Sequence, residues 1–401
     1  MEDLRVERGR QIAISRKLRP GLDGSWIVLS QTLPKTKYVV HPDPAEPTCT
    51  CPDYGAWELP CKHIYAVRFF QTPRQVELDE APEIMRPSYP QDWAAYNAAQ
   101  VNEQEHFQVL LRDLCAGIAQ PEQRTGRPRL PLSDAVYAVV AKVYSTMSGR
   151  RASGDIRLCK ERGFIDVTPH YNSISAYLAK AELTPILTAL IEQTAAPLKA
   201  VERDFAVDAT GFSTSVYSRW FDHKWGKEKK SALWLKAHAM VGVKTNVVTA
   251  IQVTEGNMHD SPMFAGLVEA TAKTFAVNEV SADKAYISRR NLKSVADAGG
   301  MAYIPFKSNN KGVGPVHWER LWHLFWFKRD EFARHYHKRS NVEATFSALK
   351  RKFGGNVRSK GPVAQQNEVL AKVLAYNITV VILAMHELGV QPEFFGNGAA
   401  S

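Results

Sequence analysis

The segment YHKRSNVEATFSALK, residues 336–350, decides how the chain is interpreted. No proline or glycine occurs between residues 319 and 353, so the segment is predicted to belong to one long helix. Four polar residues recur on it at heptad-like spacing: Tyr336, Arg339, Glu343 and Lys350. On an α-helix their directions fall within roughly 60° of one another. An apolar stripe lies beside them and can pack on a sheet: Val342, Phe346, Leu349 and Phe353.

The same polar stripe has an ordinary alternative explanation. Charge on one helix face is usually just solvated. Arg339 and Glu343 could then be a simple i,i+4 ion pair on an exposed surface. The sequence outside this segment is needed to distinguish a functional site from a solvated helix face.

Composition places the chain among globular proteins with an anionic partner. It has 401 residues, of which 45% are hydrophobic, and this predicts two or three domains with full cores. The formal charge of +10 favours nucleic acid as the partner. The N-terminus has no apolar core of a secretory signal, and the longest apolar run, residues 373–385, is short for a membrane span. We therefore expect a cytoplasmic protein without a membrane partner.

Residues 1–75 are predicted to form a small zinc-binding module. Two strand-like runs, Trp26–Leu29 and 38–41, precede four candidate ligands: Cys49, Cys51, Cys61 and His63. Three thiolates and an imidazole suit a closed tetrahedral Zn²⁺ site of structural type. The order Cys-x-Cys, loop, Cys-x-His resembles the SWIM-type zinc finger. That resemblance implies binding of DNA or protein, and a chance cluster of these residues is the alternative.

Residues 76–200 are predicted to be a linker followed by a helical DNA-binding region. Residues 71–91 are rich in proline and charge, and residues 103–116 and 133–146 have helical patterns. The basic loop at residues 126–128 is either a minor-groove arm or a plain linker. Residues 168–178 form either the second helix of a helix-turn-helix or an ordinary helical hairpin.

Residues 201–390 change to a strand-rich pattern that predicts an α/β domain with a mixed sheet. Five strands are expected at residues 204–209, 231–243, 246–255, 278–282 and 301–306. Helices alternate with the later strands, and residues 391–401 are a tail. Asp208 ends the first strand and Asp283 ends the fourth.

The two aspartates and Glu343 predict a metal site. If the first and fourth strands are neighbours, both aspartates emerge at one sheet edge, and the long helix can bring Glu343 over it. Three hard oxygen donors suit Mg²⁺ or Mn²⁺ rather than Zn²⁺. Carboxylate sets of this kind hold two metals astride a phosphodiester.

Five short patterns in this region belong together: Asp208-Ala-Thr-Gly211, Lys236-Ala-His238, Gly256-Asn257-Met-His259-Asp260, Asp283-Lys-Ala-Tyr286 and the Tyr-x2-Arg-x3-Glu-x6-Lys spacing of residues 336–350. The region resembles the ribonuclease-H-like catalytic domain of DDE transposases from bacterial insertion sequences. The resemblance covers about half of the chain. The short interval from Asp283 to Glu343 departs from relatives with a large β insertion there, so a hairpin-forming cleavage is in doubt.

The resemblance implies roles for individual residues. It makes Asp208, Asp283 and Glu343 the catalytic metal ligands. DNA contacts are expected from the residues of the stripe and its basic neighbours: Tyr336, Arg339, Lys350, Lys338, Arg351 and Lys352. Accessory roles are expected for Lys236, His238, Asn257 and Asp260. The implied partners are the terminal inverted repeats of a transposon, target DNA and at least one further copy of the chain.

Two other functions remain open on the sequence. One is a DNA-binding regulator descended from a transposase, against which the intact acidic triad argues. The other is a plain metal-dependent nuclease, which would cleave but not join DNA. A further pattern, Trp318, Trp322 and Trp326 at i, i+4 and i+8, is either core or a stacking platform for an unpaired base.

Overall fold

The computed structural model describes residues 2–14, 18–21, 23–31, 36–43, 45–71, 92–123, 125–126, 129–214 and 234–394. Among these residues the helices are α1 (Glu2–Ile14), α2 (Pro52–Trp57), α3 (Lys62–Gln71), α4 (Trp93–Val101), α5 (Glu103–Ala116), α6 (Leu132–Tyr144), α7 (Gly149–Glu161), α8 (Tyr171–Leu178), α9 (Leu183–Ala195), α10 (Ser261–Ala272), α11 (Arg289–Asp297), α12 (Val316–Phe327), α13 (Arg329–Tyr336), α14 (Ser340–Phe353) and α15 (Pro362–Leu388). The strands are β1 (Leu18–Pro20), β2 (Trp26–Leu29), β3 (Lys37–His41), β4 (Thr48–Cys49), β5 (Asp204–Ser213), β6 (Trp234–Gly242), β7 (Val248–Glu255), β8 (Glu279–Ala282) and β9 (Met301–Tyr303).

The chain divides into two compact units, each of which is built from two separate stretches of sequence. Unit 1 comprises Met1–Met85 and Phe306–Ala333, and unit 2 comprises Arg86–Pro305 and Arg334–Ser401. Residues 306–333, which the sequence pattern placed in the 201–390 domain, therefore pack with the N-terminal module. The helical region expected at 76–200 and the strand-rich region share unit 2.

Unit 1 is centred on a small antiparallel sheet with strand order β1-β2-β3-β4. Val28 of β2 and Val40 of β3 are fully buried in its core. Helices α1 and α3 cross closely at Gly9, where an added Cβ would lie only 2.6 Å from the Cβ of Tyr65. The two strands expected from the sequence are present as β2 and β3, whereas α1 was not foreseen because its sequence is mostly polar.

Helix α12 supplies the aromatic part of this unit. Trp318 and Trp322 are buried, and the ring of Phe306 lies 4.8 and 4.9 Å from them. Trp326 is half-buried, with its ring 5.5 Å from that of Trp322. The tryptophan pattern is thus chiefly core, and the stacking-platform alternative has no support here.

A cation–π contact joins α12 to the N-terminal helices. The ring of Phe327 lies 6.1 Å from that of Phe69 on α3. The guanidinium of Arg10 on α1 lies 5.4 Å from the Phe69 ring centroid and 5.7 Å from that of Phe327. Such contacts add to burial because the faces of aromatic rings attract cations.

The helical part of unit 2 surrounds α15. Helices α5 and α6 lie where helices were expected, although α6 already ends at Tyr144. Residues 162–170 separate α7 from α8, and this connection is longer than the short turn of a helix-turn-helix. The arrangement therefore favours an ordinary helical hairpin. Arg127 and Pro128 of the basic loop lie outside the described residues.

The second sheet is mixed, in the order β7-β6-β5-β8-β9. Strands β5, β6 and β7 pair antiparallel, whereas β5, β8 and β9 pair parallel. This architecture confirms the α/β fold class. Strand β5 runs to Ser213 rather than ending near residue 209, because β6 pairs with it as far as Trp234. The first residues of the run expected at 231–243 lie outside the described part.

The prediction of one long helix over residues 319–353 is wrong. Lys328 leaves helical geometry with φ −130° and ψ 57°, which separates α12 from α13. A 3₁₀ turn, His337–Arg339, then separates α13 from α14. Tertiary packing overrides helix propensity here, because no glycine or proline marks either break. A 3₁₀ turn also changes the angular step per residue, so Tyr336 does not share one α-helical stripe with Glu343.

Helix α15 is the core helix of unit 2. It is long and apolar enough to cross a membrane by length and composition alone, but 78% of its apolar window is buried inside the fold. The amide side chain of Asn377 accepts a hydrogen bond from the backbone N–H of Val248 at 2.9 Å and donates to the carbonyl of Val248 at 2.7 Å. The helix thus satisfies the backbone of β7, as a buried core element requires.

Candidate active site and zinc centre

Asp208 and Asp283 lie side by side because β5 and β8 are adjacent parallel strands. Val207 pairs with Ala282, so each aspartate is the next residue along its chain. Asp208 Oδ1 accepts a hydrogen bond from the N–H of Ala209 at 2.8 Å. Asp283 Oδ1 accepts one from the N–H of Lys284 at 2.6 Å. The sheet therefore fixes both carboxylates through their own backbone.

Arg339 joins Asp208 to Glu343. Its Nη1 lies 3.1 Å from Asp208 Oδ2, and its Nη2 lies 2.7 Å from Glu343 Oε1. Glu343 lies in the first turn of α14, four residues after Arg339, and its side chain is 56% exposed. The site is therefore open to solvent on the Glu343 side, whereas Asp208 and Arg339 are three-quarters covered.

The electrostatics of this cluster favour a bound cation. Burial is the main cause that raises the pKa of Asp208, and the charges of Glu343 and Asp283 raise it further. The N–H of Ala209 and the guanidinium of Arg339 act in the opposite direction. Burial also acts to lower the pKa of Arg339, but the charges of its neighbours outweigh it and leave that pKa raised. An anionic cluster of this kind favours bound positive charge.

The donor set fits a hard divalent ion. Asp208, Asp283 and Glu343 offer only carboxylate oxygens, which are the ligands that Mg²⁺ and Mn²⁺ prefer. The three are not drawn into a tight group: within the described ranges, only the cysteine and histidine cluster has all its ligand atoms within 4.8 Å of one another. The carboxylates could hold a metal once Arg339 and Glu343 adjust.

Tyr286 lies in the same part of the structure, although the sequence patterns predicted no role for it. Its side chain is 1% exposed, and its hydroxyl has no hydrogen-bond partner. Burial raises its pKa, and so do the charges of Asp260, Asp208 and Asp283. The signal was available, because Tyr286 closes the Asp-Lys-Ala-Tyr pattern. The charges of these carboxylates act on its hydroxyl, but the hydroxyl makes no hydrogen bond to them.

Three of the four expected accessory residues form a second cluster: Lys236 and His238 on β6, and Asp260 just before α10. Lys236 and His238 both contact Asp260 Oδ1, and His238 Nδ1 lies 3.4 Å from it. The other ring nitrogen of His238 is 2.9 Å from Thr254 Oγ1. Burial lowers the pKa of His238, so a neutral imidazole is favoured. Asn257 is exposed on the turn after β7 and stands apart from this cluster.

Two of the expected DNA-binding lysines have carboxylate partners inside the fold. Lys338 Nζ lies 2.7 Å from Asp204 and 2.8 Å from Glu279. Lys352 forms an ion pair with Glu103. These lysines support the framework at the start of β5 and β8 and at α5.

The other expected DNA contacts differ in exposure, because Lys350 and Tyr336 are half-buried and Arg351 is exposed. Arg351 is exposed and donates to Ser347 Oγ. Lys350 Nζ lies 5.5 Å from the ring centroid of Phe212, and burial lowers its pKa. Tyr336 is the last residue of α13 and contributes electrostatically to Arg339. Of these six residues, Arg339 is in contact with Asp208 and Glu343.

Buried charges of α15 hold the loop that follows α14. Lys372 is 4% exposed and donates to the carbonyls of Gly354 and Asn356 at 3.1 and 2.5 Å. Glu368 is 2% exposed and accepts from the backbone N–H groups of Arg358 and Ser359. This loop is thereby fixed beside the end of β5. No local sequence pattern predicts this arrangement.

The four candidate zinc ligands come together in unit 1. Cys49, Cys51, Cys61 and His63 are all buried, and their ligand atoms lie within 4.8 Å of one another. His63 Nδ1 is 3.8 Å from the sulfurs of Cys49 and Cys61. A tetrahedral Zn²⁺ site has edges of about 3.5–3.8 Å, given Zn–S of about 2.3 Å and Zn–N of about 2.0 Å. The residues therefore fit a closed zinc site.

Surrounding groups orient these ligands. The ring of Tyr38 packs 4.8 Å from the imidazole of His63. The N–H of Tyr54 donates to Cys51 Sγ at 3.4 Å, as Cys51 caps α2. The thiols of Cys49 and Cys61 hydrogen-bond to Cys51 and lower its pKa, which favours the thiolate that a metal binds. Such outer contacts are typical of metal centres.

Comparison with known proteins agrees with these two centres. The family model described as "Transposase DDE domain" matches residues 199–378, and the model "SWIM zinc finger" matches residues 38–67. A "Probable transposase for insertion sequence element ISA1214" from Archaeoglobus fulgidus is 26% identical over 184 residues, which cover 46% of this chain and 55% of that protein. The chain thus aligns with about half the length of this curated relative. No solved structure matches the chain.

The matched ranges coincide with the geometry. The DDE domain range includes Asp208, Asp283 and Glu343, and the SWIM range includes all four cysteine and histidine ligands. Residues 199–378 are therefore a transposase DDE domain, in a chain that also carries an N-terminal SWIM zinc finger.

Proposed function

We propose that the protein cleaves DNA strands at the ends of a transposon and joins the exposed 3′-hydroxyl to target DNA. The observation that carries this proposal is the arrangement of Asp208 and Asp283 at adjacent strand positions, with Glu343 linked to Asp208 through Arg339. The site lies partly open, as access by a large polymeric substrate requires.

The three carboxylates would hold Mg²⁺ or Mn²⁺, which would polarise the phosphodiester and activate the attacking oxygen. The chain supplies the frame. The sheet fixes Asp208 and Asp283, and α14 presents Glu343. Tyr286 is buried in the same unit, and its hydroxyl has no hydrogen-bond partner among the described contacts.

The basic residues near α14 are proposed to bind the DNA backbone. Lys350 and Arg351 lie on this helix and have no carboxylate partner among the described contacts. Lys338 and Lys352 are paired internally, so a role on DNA would require them to exchange partners. We therefore assign the more readily made phosphate contacts to Lys350 and Arg351, whereas Arg339, which is paired with Asp208 and Glu343, would also have to exchange partners.

The zinc centre is proposed to be structural. Its four ligands fill a tetrahedron, so no position is left for a substrate. The module would recognise transposon ends or hold a partner protein. The protein is proposed to act on DNA in the cytoplasm, as a dimer or larger assembly, since two ends must be processed together.

The test uses labelled duplexes that carry the inverted repeats flanking the gene, together with a target plasmid. The full-length protein should nick the repeat at its end with Mg²⁺ and join it to the plasmid. Glu343→Gln should keep DNA binding and lose both reactions. The matched control is Glu161→Gln, because Glu161 is exposed on α7.

The outcomes separate the proposal from its alternatives. Cleavage without joining would indicate a plain nuclease. Binding of the repeats with neither reaction, by wild type and variant alike, would indicate a DNA-binding regulator. Full activity of Glu343→Gln would show that the Glu343 carboxylate is not required for the reaction.

A further inference from the structure

The guanidinium of Arg339 occupies oxygens that the proposed function assigns to a metal ion. One terminal nitrogen lies 3.1 Å from Asp208 Oδ2, and the other lies 2.7 Å from Glu343 Oε1. The other oxygen of Asp208 already accepts the N–H of Ala209. A single cation therefore bridges two carboxylates that belong to different secondary-structure elements, as a divalent ion would.

The position of Arg339 makes the bridge adjustable. Arg339 is the last residue of the 3₁₀ turn between α13 and α14, and the side chain of Glu343 is more than half exposed. A phosphate entering from the solvent side can compete for the guanidinium, because the planar fork of arginine binds phosphate and carboxylate in the same bidentate manner. Release of Arg339 would leave Asp208 and Glu343 without their counter-charge.

We propose that Arg339 is an exchangeable place-holder cation, which bridges Asp208 and Glu343 in the DNA-free protein and moves to a DNA phosphate when a divalent metal ion binds. Metal binding and DNA binding are then positively coupled through this one side chain. By linkage, DNA tightens metal binding by the same factor by which metal tightens DNA binding. The inference rests on the proposed function, because it takes Asp208 and Glu343 as metal ligands.

Lys338 also bridges two carboxylates of adjacent strands, but neither these carboxylates nor the partner of Lys236 is a proposed metal ligand. Lys338 contacts Asp204 and Glu279, and Lys236 contacts Asp260. Arg334 is exposed on α13, five residues before Arg339. Removing Arg334 lowers the positive charge of the same region by one unit but leaves the bridge intact. It is therefore the matched control for a general electrostatic effect.

The experiment measures Mn²⁺ affinity of the full-length, zinc-loaded protein by electron paramagnetic resonance of free Mn²⁺. Titrations are done without DNA and with a saturating 30-base-pair duplex, and Mn²⁺ bound by the duplex alone is subtracted. For wild type, we expect DNA to tighten Mn²⁺ binding about tenfold, within the usual range of coupling between sites.

Variants assign the coupling to Arg339. Arg339→Gln should bind Mn²⁺ about tenfold tighter than wild type without DNA, and DNA should change its affinity by less than about twofold. Arg339→Lys keeps the charge but lacks the fork, so it should fall between the two. Arg334→Gln should retain the wild-type affinity and the wild-type response to DNA. Circular dichroism checks that each variant is folded.

Two results would overturn the proposal. One is Arg339→Gln binding Mn²⁺ no tighter than Arg334→Gln. The other is a wild-type Mn²⁺ affinity that does not change when DNA is added. This result does not depend on whether any variant folds. Glu343→Gln separates this failure from failure of the proposed function. If Glu343→Gln leaves Mn²⁺ affinity unchanged, the metal site itself is wrongly assigned; if it weakens binding while Arg339→Gln has no effect, only the place-holder role fails.

Discussion

The zinc cluster and the carboxylate cluster both gather anionic side chains, but they do so in opposite ways. The four candidate zinc ligands are buried and close together, and they form two pairs with one residue between the members, Cys49 with Cys51 and Cys61 with His63. The three carboxylates come from strand β5, from the residue that follows strand β8 and from helix α14, and Glu343 is largely exposed. The zinc cluster is thus closed, as proposed for a centre that stabilises a fold, whereas the carboxylate cluster is open, as proposed for a site that exchanges its cation and substrate.

The two centres also differ in what supports them. Unit 1 has a small sheet, and the three cysteines of the zinc cluster are part of its hydrophobic core. In unit 2, buried polar residues of α15 hold strand β7 and the loop after α14 through hydrogen bonds. We therefore expect metal loss to unfold one centre and to leave the fold of the other unchanged.

The largest expected effect is on the zinc centre. Cys61→Ser should lose zinc and unfold the N-terminal module, because structural zinc supplies about 10 kcal/mol or more of folding free energy in small modules. Zinc per chain by mass spectrometry and hydrogen exchange of residues 45–71 measure this. Cys159→Ser is the control, since Cys159 is equally buried but lies outside the cluster. A zinc-free Cys61→Ser protein with a protected module would show that the metal does not hold it.

The second effect is on chemistry without folding. Asp208→Asn should slow strand cleavage by roughly 10³-fold, since metal-ion catalysis supplies several kcal/mol of transition-state stabilisation. The temperature of unfolding should stay within a few degrees of wild type. Cleavage assays and differential scanning calorimetry on the same preparation compare the two quantities. If Asp208→Asn also unfolded, as Cys61→Ser is expected to do, the two centres would not differ in their contribution to folding.

How much of this could be read from the sequence depends on how local the information is. The zinc ligands span residues 49–63, so their spacing alone predicted the cluster. Asp208 and Asp283 were predicted through the strands that carry them, because strand patterns and a mixed sheet are visible in the residues. The Arg339–Glu343 contact is the i,i+4 pair considered from the sequence, but the contact of Arg339 with Asp208 could not be predicted, since it depends on a 3₁₀ turn and on one side-chain conformation.

Long-range packing also stayed hidden. Residues 306–333 belong to unit 1, although they lie between Asp283 and Glu343 in the chain. No local pattern states which partner covers Trp318 and Trp322. The same holds for Lys372, a buried lysine whose acceptors come from a loop that precedes α15.

A third, smaller effect concerns the polar support of unit 2. Burial lowers the pKa of Lys372 to about 8, from 10.5 in the unfolded chain. The folded protein thus holds this proton less tightly than the unfolded chain does. Stability should rise as the pH increases from about 8 to 10.5, by up to about 1.4 kcal/mol per pH unit.

Lys372→Met tests this by removing the titrating group while keeping the length of the side chain. The difference in unfolding free energy between wild type and variant, measured by denaturant titration, should change in favour of wild type as the pH rises through that interval. A difference that is independent of pH would mean that Lys372 is not the titrating group.

The smallest effect compares two glycines in the two units. Gly9→Ala should destabilise unit 1 by about 1–3 kcal/mol, because the new Cβ would meet Tyr65 at 2.6 Å. Gly154→Ala should stabilise unit 2 by about 0.5–1 kcal/mol, because it lies within α7 with nothing near the added atom. Thermal unfolding of each variant, followed by hydrogen exchange, assigns the change to a unit. Equal effects of the two substitutions would count against the close crossing of α1 and α3.

The most direct test of the central claim is a change of metal specificity at Asp283. Asp283→Cys replaces a hard oxygen ligand by sulfur, which Mg²⁺ does not accept and Mn²⁺ tolerates better. The account predicts that this variant cleaves DNA with Mn²⁺ but not with Mg²⁺, whereas wild type and Asp260→Cys show no such switch. Undiminished cleavage by Asp283→Cys with Mg²⁺ would contradict the assignment of Asp283 as a metal ligand.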